Sequence, residues 1–345
     1  QTNNGLQNSD WTGVTSSHAV MKLVGSHPIE IKNMDMKFIG VGNKPSAYLM
    51  LFHTDAHNFN TEDSIWKLDS NTTVNMSGQK IILYGVQSHS SYTTGSGMVN
   101  DGIITADAGT TATTSQGTSY TGLNPYQRIV FTTIDADSGS ISRYNRYFYF
   151  TNNGTITLNG TSDVLANFAT PGSSTGGTRF TNNSIVHLNG QSSVGIMLNS
   201  GVSNFGNSQI LLNSPIEISG DKSVGVQLTN SNFNLGNSKI NLNLGTTGNV
   251  ANSTGNITGN NASLVEGAVG VLVSSAGSAF TLKDYKINIG DHSLSNAGVR
   301  VATGNITLDT NGVNSSIDFS ANSSQNAGMS ITGATSSATT AGITI

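Results

Sequence analysis

The residues best suited to recognition lie in one run, Arg143-Tyr144-Asn145-Arg146-Tyr147-Phe148-Tyr149-Phe150, with Tyr126 and Arg128 shortly upstream. Successive side chains of an extended strand point to opposite sides. Tyr147 and Tyr149 therefore share one side, and Phe148 and Phe150 the other. If the phenylalanines are buried, the tyrosines stand outward beside arginines, and Tyr and Arg concentrate binding energy through stacking and charge-assisted contacts. Tyr126, Arg128, Arg143, Tyr144, Arg146, Tyr147 and Tyr149 are thus the candidate ligand-binding residues, suited to a sugar or an acidic partner. The competing reading is an aromatic-rich core strand.

Other constellations are weaker. Ala136-Asp137-Ser138-Gly139-Ser140 is similar to the segment around the nucleophile of chymotrypsin-like proteases. However, Ala136 stands where that family has Gly, and the family's His context is missing around His53 and His57. A turn between strands explains the segment better. Asp135-x-Asp137-x-Gly139 matches only half of a calcium loop, lacking Gly at the sixth position and Glu at the twelfth. His53-Thr54-Asp55-Ala56-His57 pairs histidines at i, i+4, but a strand sets their rings about 13 Å apart, too far for one ion. Residues 151–345 hold eight carboxylates, of which only Asp291 and Asp318 approach a stacking interval. A glycosidase or lyase would need paired acids on one face. The sequence therefore predicts no catalytic residues, no metal site and no cofactor.

Composition narrows the classes further. Of 345 residues, 10% are charged and the formal net charge is −4, so no basic stripe exists to hold nucleic acid or an anionic membrane. Gly, Asn, Ser and Thr number 40, 41, 46 and 40, close to half the chain. No apolar run reaches the 18 or so residues of a membrane span, and without cysteine there is neither disulfide nor thiolate chemistry. The first residue is Gln1, no targeting segment follows, and Ala341–Ile345 stops within a strand-like pattern. The chain reads as a piece of a longer one.

The elements that must position the candidate residues come from a repeat. Ser193-Val194-Gly195-Ile196-Met197-Leu198 returns 30 residues later as Ser223-Val224-Gly225-Val226-Gln227-Leu228, and Gly206-Asn207-Ser208 returns as Gly236-Asn237-Ser238. Related segments centre on Gly270, Gly298 and Gly328. The one long gap contains a Gly/Asn/Thr/Ser stretch at 245–260 that reads as an inserted loop. Alternation predicts Val194, Ile196 and Leu198 inward, with Gly195 and Met197 outward, and likewise in each repeat. Three strands per period, such as Val194–Leu198, Gln209–Leu212 and Ile216–Ile218, stacked at about 4.8 Å describe a parallel β-helix. Asn suits left-handed corners and coil-to-coil amide ladders. The five prolines are few, as expected where nearly every N–H joins a ladder.

Residues 1–150 differ. They hold both tryptophans, eight of nine tyrosines and five of seven histidines, and the rhythm is blurred. Strands are still predicted at Ile29–Ile31, Tyr48–Phe52, Val74–Met76, Ile81–Tyr84, Ile103–Thr105, Ile129–Ile134 and Tyr147–Phe150. Asn100-Asp101-Gly102-Ile103 echoes Asn152-Asn153-Gly154-Thr155 at 52 residues, one coil plus an insertion within 109–122. The expected organisation is an N-terminal cap and loop-decorated coils over 1–150, then regular coils over 151–345. Residues 1–60 are either a cap or a separate element.

The [Ser/Asn]-[Val/Ala]-Gly-[Val/Ile]-x-[Leu/Val] strand, the Asn152–Leu158 element and the Gly-Asn-Ser segments resemble the passenger region of large type V autotransporter adhesins. The likeness covers residues 100–345 well and 1–99 poorly. It implies an all-β, right-handed parallel β-helix displayed at the cell surface and anchored to an outer membrane by a C-terminal barrel outside these residues. It further implies a monomeric rod, without enzymatic activity, that attaches to glycan or protein on other bacteria or host cells through its loops. The family has no shared catalytic residues. A β-helical carbohydrate-active enzyme and a phage-type tail fibre are the alternatives.

Overall fold

A computed structural model describes residues 19–23, 28–40, 49–56, 64–88, 95–108, 128–134, 147–168, 177–199, 209–229, 234–245, 265–290, 293–309, 315–320, 325–332 and 337–341. These residues form 27 strands and no helix. Every strand pairing is parallel, and partners lie roughly one period apart rather than next in sequence. Val194 pairs with Val224, and Leu198 with Leu228. The fold is a parallel β-helix.

Each coil contributes one strand to each of three faces. The first face stacks β1 (Ala19–Leu23), β4 (Leu49–Ala56), β7 (Ile81–Ser88), β10 (Arg128–Ile134), β13 (Val164–Phe168), β16 (Val194–Asn199) and β19 (Val224–Thr229). It continues through the start of β22 (Val269–Ile289), the start of β24 (Ala297–Asp309) and β26 (Ala327–Ile331). The second face carries β2 (Ile29–Ile31), β5 (Ser64–Leu68), β8 (Ser96–Asn100), β11 (Tyr147–Asn152), β14 (Gly177–Asn182) and β17 (Gln209–Leu212). The third carries β3 (Asp35–Gly40), β6 (Thr73–Gly78), β9 (Ile103–Ala106), β12 (Thr155–Leu158), β15 (Val186–Leu188) and β18 (Ile216–Ile218). Strands of the stack already occur at Ala19–Leu23, Ile29–Ile31, Asp35–Gly40 and Leu49–Ala56. The sheet also crosses residue 150 without a break, because β8 pairs directly with β11.

The 52-residue echo is one coil: Asn100 pairs with Asn152, and Ile103 with Thr155. Its extra chain lies in residues 109–127 and 135–146, outside the described residues. The 45-residue gap between Val224 and Val269 is likewise one coil, with residues 246–264 outside the described ones. β1, β3, β5 and β8 are additions to the sequence reading.

The lumen is apolar and continuous. On the third face, Ile156, Val186, Ile216, Leu242 and Ile287 form one column, all fully buried. Burying each such side chain contributes about 1.5–3 kcal/mol. Aromatic rings fill the lumen between residues 52 and 180. Phe52 meets Trp66 at 4.9 Å, Phe131 meets Phe150 at 5.5 Å, and Phe150 stacks on Phe180 at 5.6 Å.

On the first face the alternation is broken, which corrects the sequence reading. Ile196 and Leu198 are in the main core, but Val194 belongs with Met197 to a separate buried cluster. Gly195 faces inward: a Cβ there would stand 3.2 Å from the core residue Ile216 and 2.5 Å from the Gly225 carbonyl oxygen. Two consecutive inward positions kink the strand, and the pairing skips from Val194 to Ile196. Val130 and Leu165 fill the equivalent position in earlier coils, where both are buried in the main core.

Among the described residues asparagine mainly forms ladders, and Asn33 alone of the asparagines takes a left-handed corner. Asn100 donates to Asn152 and Asn152 to Asn182, each amide bond 2.8 Å long and buried. Leu68 and Leu212 close the same column at either end. A second, exposed ladder runs from Asn213 through Asn183 and Asn153 to Asp101, with every bond 2.8 Å. The left-handed corners instead fall on Lys80, Ser162, Ser192, Lys222, Gly267, Ser295 and Gln325. Lys80 lies one residue before a first-face strand opens, and each of the others two residues before. Among the described non-glycine residues with positive φ, Asn33 is the one asparagine. Amide-to-amide bonding between coils, which corner geometry does not supply, accounts for the placement of these asparagines.

Asn152→Leu is expected to lower stability by about 2 kcal/mol or more, since it leaves Asn100 and Asn182 with broken buried bonds. Asn183→Ala in the exposed ladder should stay within about 0.5 kcal/mol of the parent. Urea unfolding of the two variants checks the contrast.

Candidate functional site

The structure divides the candidate binding residues. Phe148 and Phe150 point into the core and are buried, while Tyr149 is half-buried on the outward side of β11. Tyr147 opens β11 opposite Gly177. Tyr126, Arg143, Tyr144 and Arg146 lie outside the described residues.

Arg128 leaves the set. It is fully buried, and its Nε donates to Asp163 Oδ1 at 2.8 Å. Nη1 donates to the Asp107 carbonyl, and Nη2 lies against Gly160, where a Cβ would collide with it. Arg128 opens β10, the strand that follows residues 109–127. In the next coils a turn glycine stacks on the turn glycine before it, Gly190 on Gly160 and Gly220 on Gly190. Below Gly160 that place is taken by the guanidinium. Burial pushes the Asp163 carboxyl up to about 6, even though Arg128 and the Gly160 N–H pull it down. The residue is structural, and its buried partner excludes a role in surface recognition.

The register supplies other neighbours for Tyr149. Its ring lies over Gly97 of β8, where a Cβ would sit 2.5 Å from two ring carbons. On the other side, Arg179 of β14 pairs with Tyr149, and Gln209 of β17 pairs with Arg179. Arg179 is exposed and Gln209 half-buried. Thr151 and Thr181 form the adjoining outward column. The outward positions described on these four strands carry no carboxylate. Arg179 and Gln209 stand one and two periods beyond Tyr149, so the 30-residue repeat alone could have placed them.

No protein-family model, curated protein or solved structure matches the chain. Its chemistry must be judged from its own faces. On the third face the outward column runs Thr157, His187, Glu217, Asn243, Asn288, Asp318. Glu217 pairs with His187 Nδ1 at 3.0 Å. Glu217 and Asp318 are three strand spacings apart, about 14 Å, beyond the roughly 5–9.5 Å that separates glycosidase carboxylates. Asp291 lies outside the described residues, and Asp318 is in register with Asn288.

Among the described residues no cluster of three or more His, Asp or Glu could hold a metal ion. His53 is buried within the extended strand β4, beside Gly85, and His57 lies outside the described residues. So does Asp135–Ser140, with both the protease-like and the calcium-like segments. No helix among the described residues is long and apolar enough to cross a membrane.

Proposed function

We propose that this chain is part of a surface-displayed adhesive rod of the autotransporter type, which attaches a bacterium to other bacteria or to host cells and acts by binding rather than catalysis. The supporting observation is how the insertions enter the stack. Ten strands on the first face give a rod of about 43 Å at strand spacing. Coils of 47 and 45 residues, between Ile82 and Ile129 and between Val224 and Val269, keep the same three-faced register as coils of 30. A scaffold that accepts 15 or more extra residues without losing register can vary its contacts while the core stays fixed. In this reading the rod is monomeric, stands outside the outer membrane and needs no cofactor. The partner is a glycan or protein on the opposing cell.

Saturable binding of the fluorescently labelled 345-residue chain to bacterial and epithelial cells is the expected result, read by flow cytometry. Replacing residues 109–127 by a short Gly-Ser linker between the same strands should weaken attachment several-fold, while circular dichroism still reports the β-structure. Absence of saturable binding to any cell, or depolymerisation of a polysaccharide by the chain, would refute the proposal. Separating residues 1–150 from 151–345 would be a poorer test, because the cut falls inside β11 and exposes the β11 and β14 edges that pair in the intact sheet.

A further inference from the structure

We infer that the outward row Gly97–Tyr149–Arg179–Gln209 is a binding site for a carboxylate-bearing glycan lying along the helix axis; this rests on the adhesive reading and narrows its ligand class. The row is built by the fold rather than by a loop. The four residues occupy consecutive strands β8, β11, β14 and β17 at one register position, so neighbours stand about 4.8 Å apart. Gly97 has no side chain, and the Tyr149 ring takes that space, lying over backbone and half-buried. A ring fixed in this way offers an aromatic surface at little entropic cost. The apolar C–H side of a pyranose stacks on such a surface.

Arg179 is exposed one strand further on. Its planar fork matches a carboxylate in a bidentate arrangement, which a lysine in the same place would not reproduce. Gln209 follows with an amide that both donates and accepts. Thr151 and Thr181 stand in the adjoining outward column, where their hydroxyls suit sugar hydroxyls. No carboxylate occupies an outward position described on these strands, so the row favours an anionic ligand over a cationic one. An aromatic platform followed by a guanidinium selects for a sugar ring carrying an acid. A neutral sugar gains the stacking alone.

The test titrates the intact 345-residue chain with a sialylated oligosaccharide, an oligogalacturonate and the methyl esters of both. At least one acid should bind about tenfold more tightly than its ester, the size of one charge-assisted hydrogen bond. Whichever acid binds identifies a sialic or a uronic source. Arg179→Gln should reduce acid binding to the level of the ester. Tyr149→Ala should weaken acid and ester alike, and Tyr149→Phe should retain both. Arg300→Gln, on the first face and in register with Leu272, should change nothing. The inference is overturned if neither acid binds, if acid and ester bind equally, or if Arg179→Gln binds as the parent does. Cell attachment measured in parallel separates the two readings. Attachment that persists unchanged in Arg179→Gln sinks this site and spares the adhesin. Oligosaccharide binding without any cell attachment spares the site and sinks the adhesin.

Discussion

Arg128→Met is expected to destabilise the stack by about 3–5 kcal/mol at neutral pH, because it leaves a buried carboxylate without its counterion. Arg128 and Asp163 are both fully buried and 2.8 Å apart. The guanidinium also holds the Asp107 carbonyl and fills the space below Gly160. Methionine restores part of the volume and none of these bonds. The effect should depend on pH with a defined sign. Burial has raised the Asp163 carboxyl to about 6 from an ordinary value of 3.8. A carboxyl raised in the folded state favours folding in acid, and that contribution fades as pH rises through about 6. Without Arg128 the carboxyl rises further and the fading continues to higher pH. The gap between parent and variant should therefore widen from pH 5 to pH 8. Denaturant unfolding at both pH values checks this, and an equal gap at the two would refute the account. Replacing both partners, as Arg128→Met with Asp163→Leu, should recover most of the loss, since apolar substitutes for a buried pair are often neutral or better.

The contrast between that pair and the rest of the chain shows what a sequence of this kind discloses. The register of Val194 on Val224 was legible because it depends on a property repeated every 30 residues, apolar side chains packing on their own equivalents. Tyr149 stands out by its residue type, whereas Arg179 and Gln209 are missed by the sequence reading, although the period that stacks the core also stacks them beside it. The pairing of Arg128 with Asp163 was not legible. It spans 35 residues in a coil that follows an insertion, and its cause is the volume left where a turn would otherwise stack. Its chemistry suits Arg128 to the surface, whereas its burial follows from the space against Gly160, which composition does not record.

The kink at Gly195 was hidden for a different reason. Strict alternation describes a straight strand, and it places Val194 and Ile196 on one side by default. Whether a strand bends depends on how closely the neighbouring backbone approaches, here the Gly225 carbonyl. Earlier coils bend with Val130 or Leu165 at the same position, so glycine does not cause the bend, although it permits tighter stacking there. The left-handed corners were equally silent. Ser192, Lys222 and Gln325 share a positive φ of 54–57° without sharing a side-chain type, so the surrounding coils impose the conformation and no residue preference announces it.

Backbone stacking of this closeness makes Gly190→Val the second large loss, expected at about 3 kcal/mol or more. Gly190 does not need glycine for its torsion angles. Its N–H donates to the Leu158 carbonyl at 3.1 Å, which draws this turn onto the turn of the preceding coil. A Cβ on Gly190 would then fall far inside the 3.0 Å that real Cβ atoms keep, with the Gly160 carbonyl oxygen directly in its path. That oxygen cannot move freely, because Ser193 Oγ donates to it at 3.1 Å. Nor can the next turn retreat, since Ser223 Oγ holds the Gly190 carbonyl at 2.9 Å and Gly220 stacks on it in turn. A side chain at 190 must therefore open a turn-to-turn contact in the middle of the rod, and the strain passes to coils on both sides. Gly328 is the control. The nearest atom to a Cβ there is Phe319 Cζ at 3.5 Å, an ordinary contact, and Gly328→Ala should shift the unfolding midpoint little. Thermal unfolding followed by circular dichroism compares the two. If Gly190→Val melted with the parent, the coils would be shown to slide past one another at the turns, and the stacked-turn account of this rod's rigidity would fail.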